Sequence, residues 1–366
     1  MLLTSRVAQQ LRSGPSRRPA RTGQRRAGGR MAPQAVATAS PDELARAKGY
    51  PYDRPDSSFV FINGNAYCFP DATWPGTSGL LDLQVSDPTT GAECAVRDVC
   101  KGLDITWEPP SDESGWTPVL AIGSNAGVAQ LARKYPRDLF PGGVVIPVVQ
   151  SLLCDLDVVY APLISSYGSA TATLEHAPGC TTQLFVTFLD DAALARMHET
   201  EGAYHLVQLN DVDLKLGFSL AAQDRGEAPS AALQTVLQYN HQKGTLNLPL
   251  GERGAPSPVA LAEIASRGRT LPALGQIAMQ RAVMAAVGTP APGASLDDAR
   301  RWARDADARA GCEDTEAHDA WISRNLKDDE HRRGVVKQLT DMARPFSWPN
   351  HDVKEKLGNV FSANVK

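Results

Sequence analysis

Two short polar segments carry residue types that suit acyl-transfer chemistry. The first is the turn Gly123-Ser124-Asn125, which directly follows an apolar run from Val119 to Ile122. A strand that ends in such a turn leaves backbone N–H groups without ladder partners, and these groups can hold a carboxylate or a developing oxyanion. The second is Glu201, which precedes Gly202 where a helical pattern changes to a strand pattern. We predict that the turn and the acid are two halves of one small-molecule site.

Each half has a structural interpretation when it is taken alone. Gly-Ser-Asn is also an ordinary turn sequence, and a carboxylate before Gly commonly ends a helix at the surface. A metal site at His198, Glu199 and His205 is not favoured, because Gly202 stands where a His-Glu-x-x-His motif needs its second histidine. The pairing of the two halves therefore depends on the elements between them.

Those elements alternate between strand and helix patterns. The strand from Val119 leads into the turn, and residues 128–133 form a helical pattern. Because strands outnumber helices and their connections are too short for a doubly wound parallel sheet, we predict an α+β fold with a small barrel or mixed sheet and short helices. The further predicted elements are strands over 155–160, 170–174, 183–189 and 204–209, with a short helix capped by Asp190-Asp191 before the last strand.

Several short blocks follow one another between Val119 and Leu209. In chain order they are Gly123-Ser124-Asn125, Leu153 with Asp155-Leu156, Ala172-Thr173-Leu174, Pro178-Gly179 closing a turn, Leu184 to Leu189, Glu201-Gly202 and Tyr204. In this order they resemble the γ-glutamylcyclotransferase-like domain, over 91 of the 366 residues. Ile122 stands where that family usually has a tyrosine, and Leu184 stands where a glycine is common.

The resemblance implies an α+β γ-glutamylcyclotransferase-like fold and assigns roles to particular residues. The glutamate of the family's Glu-Gly pair is its catalytic acid/base, and it corresponds here to Glu201. The turn is expected to bind the substrate. The substrate-binding residues implied in this way are Ile122, Gly123, Ser124 and Asn125.

The chemistry implied by the resemblance also suits these residue types. In a γ-glutamyl amide the α-amine attacks the γ-carbonyl of the same molecule, which closes the ring of 5-oxoproline and expels an amine. Because the nucleophile is tethered, the remaining barrier concerns protons and charge. One carboxylate, Glu201, can take the proton from the α-ammonium and return it to the leaving nitrogen. The expected partner is a small γ-glutamyl molecule, and no metal or cofactor is required.

The first 39 residues differ in composition from the rest of the chain. They hold eight arginines, and no Asp or Glu occurs before Asp42, which is typical of an organelle transit peptide. We predict a chloroplast destination, with the mitochondrion as the alternative; a basic tail that binds nucleic acid is the other interpretation.

Without those arginines, 29 basic residues face 41 acidic ones, a net charge of about −12 that argues against a nucleic-acid partner. No apolar stretch approaches 18 residues, so no membrane span is predicted.

The chain outside the resemblance divides into two predicted extensions. Residues 40–116 form a β-rich N-terminal extension with a hairpin at Asn63-Gly64, and the γ-glutamylcyclotransferase-like domain is assigned to residues 117–255. Residues 256–366 form a helical C-terminal extension, in which Ser257-Pro258 begins the first helix. The predicted helices there cover 259–267, 277–287, 296–309 and 315–344.

Three functions fit these observations. The first is a γ-glutamylcyclotransferase-type enzyme acting on a γ-glutamyl amine, a γ-glutamyl dipeptide or a related amide. The second is a catalytically inactive binding or assembly module in a plastid, whose terminal extensions contact a protein partner. The third is an amidotransferase or cyclase that uses the same glutamate on another substrate, and the sequence does not separate it from the first.

Overall fold

Strands and short helices alternate along the chain in the structure, a computed structural model that describes residues 38–287 and 315–356. The helices are α1 (Pro41–Lys48), α2 (Val96–Gly102), α3 (Val128–Lys134), α4 (Asp191–Glu199), α5 (Leu220–Asp224), α6 (Gln276–Val287), α7 (Thr315–Lys327) and α8 (Asp329–Asp341). The strands are β1 (Phe59–Ile62), β2 (Asn65–Cys68), β3 (Gln84–Ser86), β4 (Glu93–Ala95), β5 (Thr117–Ala121), β6 (Val145–Ile164), β7 (Ala170–Leu189), β8 (Tyr204–Leu216), β9 (Ala231–His241), β10 (Thr245–Leu248), β11 (Ser257–Pro258), β12 (Ala260–Leu261), β13 (Ser266–Arg267), β14 (Ala273–Leu274), β15 (Ala343–Arg344) and β16 (His351–Lys356). Most of the predicted transit peptide and the predicted helix over 296–309 lie outside the described residues.

Five strands close on themselves to form a barrel at the centre of the fold. Around the barrel the order is β5, β7, β6, β8 and β9, and β9 returns to pair with β5. The β5–β9 pairing is parallel, whereas the other four are antiparallel. Closure satisfies the backbone groups that an open sheet leaves at its edges. The predicted α+β class with a small barrel and short helices is confirmed.

Two strands of the barrel, β6 and β7, are much longer than their sequence patterns predict. The predicted turn at Pro178-Gly179 is wrong, because β7 runs without interruption from Ala170 to Leu189. A break in register near Asp155 absorbs the extra residues. Asp155 adopts a φ of 60°, and its Oδ1 accepts a hydrogen bond from Gly179 N at 2.7 Å. The Pro-Gly pair therefore forms an irregularity within one strand rather than a boundary between two strands.

The N-terminal strands extend the sheet of the barrel. β1 pairs with β6 on one side and with β2 on the other, and all four β1 residues are buried. The predicted hairpin is confirmed: Asn63 and Gly64 have φ values of 45° and 97°, which suit a two-residue turn between twisted strands. Residues 40–116 also contribute α1 and α2, so this segment is less purely β than predicted.

The C-terminal segment departs from its predicted helices in two places. The helix predicted over 259–267 is wrong, because the chain forms short strands there; Pro258 pairs with Asn247, and Ala260 pairs with Val159. These pairings outweigh the helix-start signal of Ser-Pro, since local propensity is a weak influence. The predicted helix over 315–344 is two helices, and Asp328 caps the second by accepting from His331 N at 2.9 Å. The helix predicted over 277–287 is confirmed as α6.

Among residues 38–287 and 315–356, no helix is long and apolar enough to cross a membrane.

Candidate active site

A cavity of about 890 Å³ opens beside one end of the barrel. Its wall includes the end of β5, the turn that follows it, and residues of α3, α4, β8 and β9. Both flanking segments also contribute, because Glu43 and Arg46 of α1 and Lys327 of α7 line the same space. This volume lies in the upper part of the range of about 300–1,000 Å³ that small-molecule pockets occupy.

The predicted turn lies at the cavity wall. β5 ends at Ala121, Ile122 is buried, and residues 124–126 form a single 3₁₀ turn. No side chain in the described part of the chain caps this turn at Gly123, and the first N–H groups of any helical turn lack intrahelical acceptors. Ile122, Gly123, Ser124 and Asn125 all line the cavity. The backbone is thus arranged as the sequence pattern suggested.

Glu201 faces the same cavity from the end of α4. Asp190 caps that helix by accepting from Ala193 N at 2.8 Å, as predicted, and the chain leaves the helix after Glu199. Glu201 is only 9% exposed, although it lines the cavity. Asn125 Nδ2 donates a hydrogen bond to Glu201 Oε1 at 3.0 Å. The structure therefore brings the turn and the acid into direct contact across 76 residues of sequence.

Lys134 is a residue of this site that sequence reasoning missed. Its Nζ lies 2.6 Å from Glu201 Oε1, and the two side chains are only 5% and 11% exposed. A lysine in the last turn of a short helix is usually solvated, so its type alone did not predict burial. The available signal was its position three residues after Leu131, which is fully buried and places Lys134 on the inner face of α3.

The contacts of Glu201 are unevenly shared between its two oxygens. Lys134 and Asn125 both donate to Oε1, whereas no described residue donates a hydrogen bond to Oε2. Because Glu201 lines the cavity, Oε2 is the oxygen that a bound molecule can reach. The carboxylate is therefore fixed on one side and available on the other.

Buried tyrosines from separate parts of the chain form another wall of the cavity. Tyr50 lies beside Gly123, and its hydroxyl accepts a hydrogen bond from Ala172 N at 3.0 Å. Tyr204 donates to Thr171 Oγ1 at 2.8 Å. Burial raises the pKa of both phenols well above the ordinary value, so they stay protonated at neutral pH. Tyr50 thus places a phenol next to the turn from the N-terminal segment.

Gly123 leaves no room for a side chain. A Cβ there would lie 2.0 Å from the Tyr50 hydroxyl and 3.3 Å from Ala172 Cβ. We expect Gly123→Ala to displace Tyr50 and to lower the free energy of unfolding by about 1–3 kcal/mol, measured by urea denaturation. Gly334→Ala is the control, because no atom of the described part of the chain lies within 4 Å of the added carbon in α8. Equal stabilities of the two variants would contradict this packing.

His241 is a buried neutral side chain behind the cavity, with its ring 5.5 Å from that of Tyr204. Burial, and then the charges of His205 and Lys243, lower its pKa to about 3. The unfolded chain binds this proton near pH 6.5, so the stabilisation is complete above pH 6.5 and is lost as the pH falls towards 3.

We therefore expect the free energy of unfolding to decrease by about 2 kcal/mol between pH 6.5 and pH 5 because of this one histidine. Urea denaturation across this interval measures the decrease. His241→Gln should show a correspondingly smaller decrease. The same pH dependence in the variant and the parent protein would show that His241 is not the group responsible.

Among the described residues, His198 and His205 do not belong to a metal site, and Leu184 does not line the cavity. Among the residues that the structure describes, no group of three or more His, Cys, Asp or Glu side chains could hold a metal ion. His198 instead shares a hydrogen bond of 2.8 Å with the Tyr239 hydroxyl. Leu184 is buried in β7 and is not a residue of the cavity wall.

Comparison with known proteins assigns no function to this cavity. No protein-family model, curated protein or solved structure matches this chain.

Proposed function

We propose that this protein is a γ-glutamylcyclotransferase-like enzyme that cyclises a γ-glutamyl amide to 5-oxoproline and releases an amine. One observation carries the proposal: Glu201 and the turn Gly123-Ser124-Asn125 line one cavity, and Asn125 binds the Glu201 carboxylate. The ordered blocks from Val119 to Leu209 point to the same family. In this proposal the five-stranded barrel is the γ-glutamylcyclotransferase-like fold, extended at both ends.

The proposed reaction moves one proton through Glu201. The carboxylate accepts a proton from the substrate's α-ammonium, and the freed amine attacks the γ-carbonyl carbon. The bond from this carbon to the leaving nitrogen then breaks, while Glu201 returns that proton to the leaving nitrogen. The ring nitrogen loses its second proton to the released amine, which departs as an ammonium ion. General acid–base catalysis of this kind contributes typically 10²–10⁴-fold to a rate. Because the attack is intramolecular, the protein needs to supply little additional proximity.

The neighbours of Glu201 suit this role by fixing its orientation. Lys134 and Asn125 both hold Oε1, which leaves Oε2 as the oxygen that meets the substrate. The N–H groups at the start of the 124–126 turn provide donors for the substrate's carboxylate or for the tetrahedral oxyanion. The buried phenols of Tyr50 and Tyr204 complete the wall of the cavity.

A second candidate is a catalytically inactive binding or assembly module in a plastid. The Glu201–Lys134 ion pair favours it, because a buried carboxylate that already has a cationic partner can be purely structural. The terminal segments would then provide the surface for a protein partner. Turnover of any γ-glutamyl amide distinguishes the two functions.

The test is a substrate panel for the full chain. A γ-glutamyl amine, a γ-glutamyl dipeptide and glutathione are incubated separately, and both 5-oxoproline and the released amine are measured by mass spectrometry. We expect equimolar amounts of the two products from at least one substrate. The absence of 5-oxoproline with every γ-glutamyl compound would reject the enzyme and favour the binding module.

Targeting to the chloroplast, or alternatively to the mitochondrion, is part of the same proposal. It depends on the arginine-rich, acid-free composition of the first 39 residues. Imaging of the full chain with a C-terminal fluorescent tag tests it, and a tag that stays in the cytosol would contradict it.

A further inference from the structure

The cavity wall is strongly basic, although the sequence as a whole is acidic. Among the described residues, six cationic and three acidic side chains line it. The cationic ones are Arg46, Arg133, Lys134, Arg196, Lys327 and Arg332, and the acidic ones are Glu43, Glu201 and Asp329. This excess of positive charge favours an anionic ligand.

Each acid of the wall already has a cationic partner. Lys134 binds Glu201 at 2.6 Å, Lys327 binds Glu43 at 2.7 Å, and Arg332 binds Asp329. Arg196 is also engaged, because it binds Glu199 at 2.7 Å and donates to Lys134 O at 2.8 Å. The excess positive charge is therefore concentrated on the two remaining arginines.

Arg46 and Arg133 have no carboxylate partner among the described residues. Arg133 donates only a long hydrogen bond, of 3.3 Å, to Gln130 Oε1. The guanidinium carbon of Arg46 lies 4.7 Å from the centre of the Tyr167 ring, while its buried Nε has no hydrogen-bond partner within residues 38–287 and 315–356. A buried donor without an acceptor is costly, and a bound anion would satisfy it.

The two arginines line the same cavity, although they come from different elements. Burial raises the pKa of the Tyr52 hydroxyl, and the positive charges of both arginines oppose this effect. Arg46 comes from α1, which begins with a capping box at Ser40 and lies outside the barrel. Arg133 comes from α3, immediately before Lys134. The pair thus lies between the N-terminal segment and the barrel.

We infer that Arg46 and Arg133 form an anion-binding subsite for the carboxylate or phosphate of the ligand's leaving amine. Guanidinium groups bind such oxyanions through paired, charge-assisted hydrogen bonds. The inference depends on the proposed function for the γ-glutamyl end of the ligand, which lies at Glu201. It adds that the N-terminal helix, rather than the barrel alone, determines which γ-glutamyl amides are bound.

Three ligands that differ at the far end test the subsite. They are γ-glutamylalanine, with a carboxylate; γ-glutamylethylamine, which lacks only that carboxylate; and γ-glutamylphosphoethanolamine, with a phosphate. Binding is measured by calorimetry in the Glu201→Gln background, so that turnover does not consume the ligands. We expect at least one anionic ligand to bind about 10–100-fold more tightly than γ-glutamylethylamine. The tighter of the two identifies the natural anion as carboxylate or phosphate.

The arginine variants identify the source of that preference. Arg46→Gln and Arg133→Gln, added singly, should each remove most of it and leave the affinity for γ-glutamylethylamine unchanged. Arg137→Gln is the control, because Arg137 is exposed like Arg133 but does not line the cavity, and it should retain the full preference.

Separate results would overturn the inference and the proposed function. Equal affinities for all three ligands, or a preference that survives both arginine variants, would overturn the subsite even if the parent protein produces 5-oxoproline. A preference that depends on the two arginines, without any 5-oxoproline from the parent protein, would support the subsite and reject the enzyme. If none of the ligands binds, the subsite is rejected, and 5-oxoproline formation by the parent protein decides the proposed function separately.

Discussion

Lys134→Met should lower the free energy of unfolding by about 3–5 kcal/mol. The substitution keeps most of the side-chain volume but leaves the Glu201 carboxylate buried without its cationic partner, and breaking a buried ion pair in this way is strongly destabilising. Asn125 would remain as the only hydrogen-bond donor to that carboxylate among the described side chains. Urea denaturation followed by circular dichroism measures the change.

An exposed ion pair provides the control for this prediction. Lys337 and Asp341 lie 3.5 Å apart with side chains 72% and 68% exposed, so Lys337→Met should cost no more than about 1 kcal/mol. The double variant Lys134→Met/Glu201→Gln should recover part of the lost stability, because it removes the unpaired charge. A Lys134→Met variant as stable as Lys337→Met would show that the ion pair is absent in solution.

Glu201→Gln should reduce kcat/KM for 5-oxoproline formation by about 10²–10⁴-fold. Glutamine has nearly the same shape and can still accept from Lys134 and Asn125 through its carbonyl oxygen, but it cannot carry the proton. Steady-state rates on the best substrate of the panel measure the loss. Urea denaturation of the same sample establishes whether the variant is folded.

Glu199→Gln is the matched control for this loss of activity. Glu199 belongs to the same helix end, but its side chain is 63% exposed and pairs with Arg196. Its substitution should change kcat/KM by less than about threefold, since an exposed ion pair contributes little. Comparable losses in the two variants would point to a general disturbance of α4 rather than to proton transfer by Glu201.

The sequence predicted the two halves of the cavity because each lies at a recognisable change of pattern. The apolar run before Gly123 ends β5, and Asp190 caps the helix that leads to Glu201. Both signals are local, since a turn and a helix cap depend on neighbouring residues. The contact between Asn125 and Glu201 was foreseeable only through the order of the blocks between them.

The sequence did not predict two residues of the cavity wall, Lys134 and Tyr50. Contacts with residues far away in the sequence place both of them there. Lys134 is buried because α3 packs against α4, where Arg196 Nε donates to Lys134 O and Tyr135 donates to Ala193 O. Tyr50 reaches the cavity from a segment about 70 residues before the turn, and its own neighbours do not mark it as a site residue. Tertiary contacts, rather than residue type, placed both side chains in the cavity wall.

The errors in the fold prediction have the same origin. A Pro-Gly pair normally ends a strand, yet Asp155 satisfies the Gly179 N–H and β7 continues. Ser257-Pro258 is a good helix start, but pairing with β10 holds it extended. In each case a partner distant in sequence supplied the hydrogen bond that decided the local conformation.

The most direct test of the proposed function is the product formed by the parent protein and by Glu201→Gln from the same γ-glutamyl substrate. Glutamate and 5-oxoproline are quantified together, because hydrolysis yields the first and cyclisation yields the second. We predict that the parent protein releases 5-oxoproline and amine in equal amounts and that Glu201→Gln releases at least 100-fold less of both. Equal rates of 5-oxoproline release by the two proteins, or glutamate as the product of the parent protein, would contradict the proposed function.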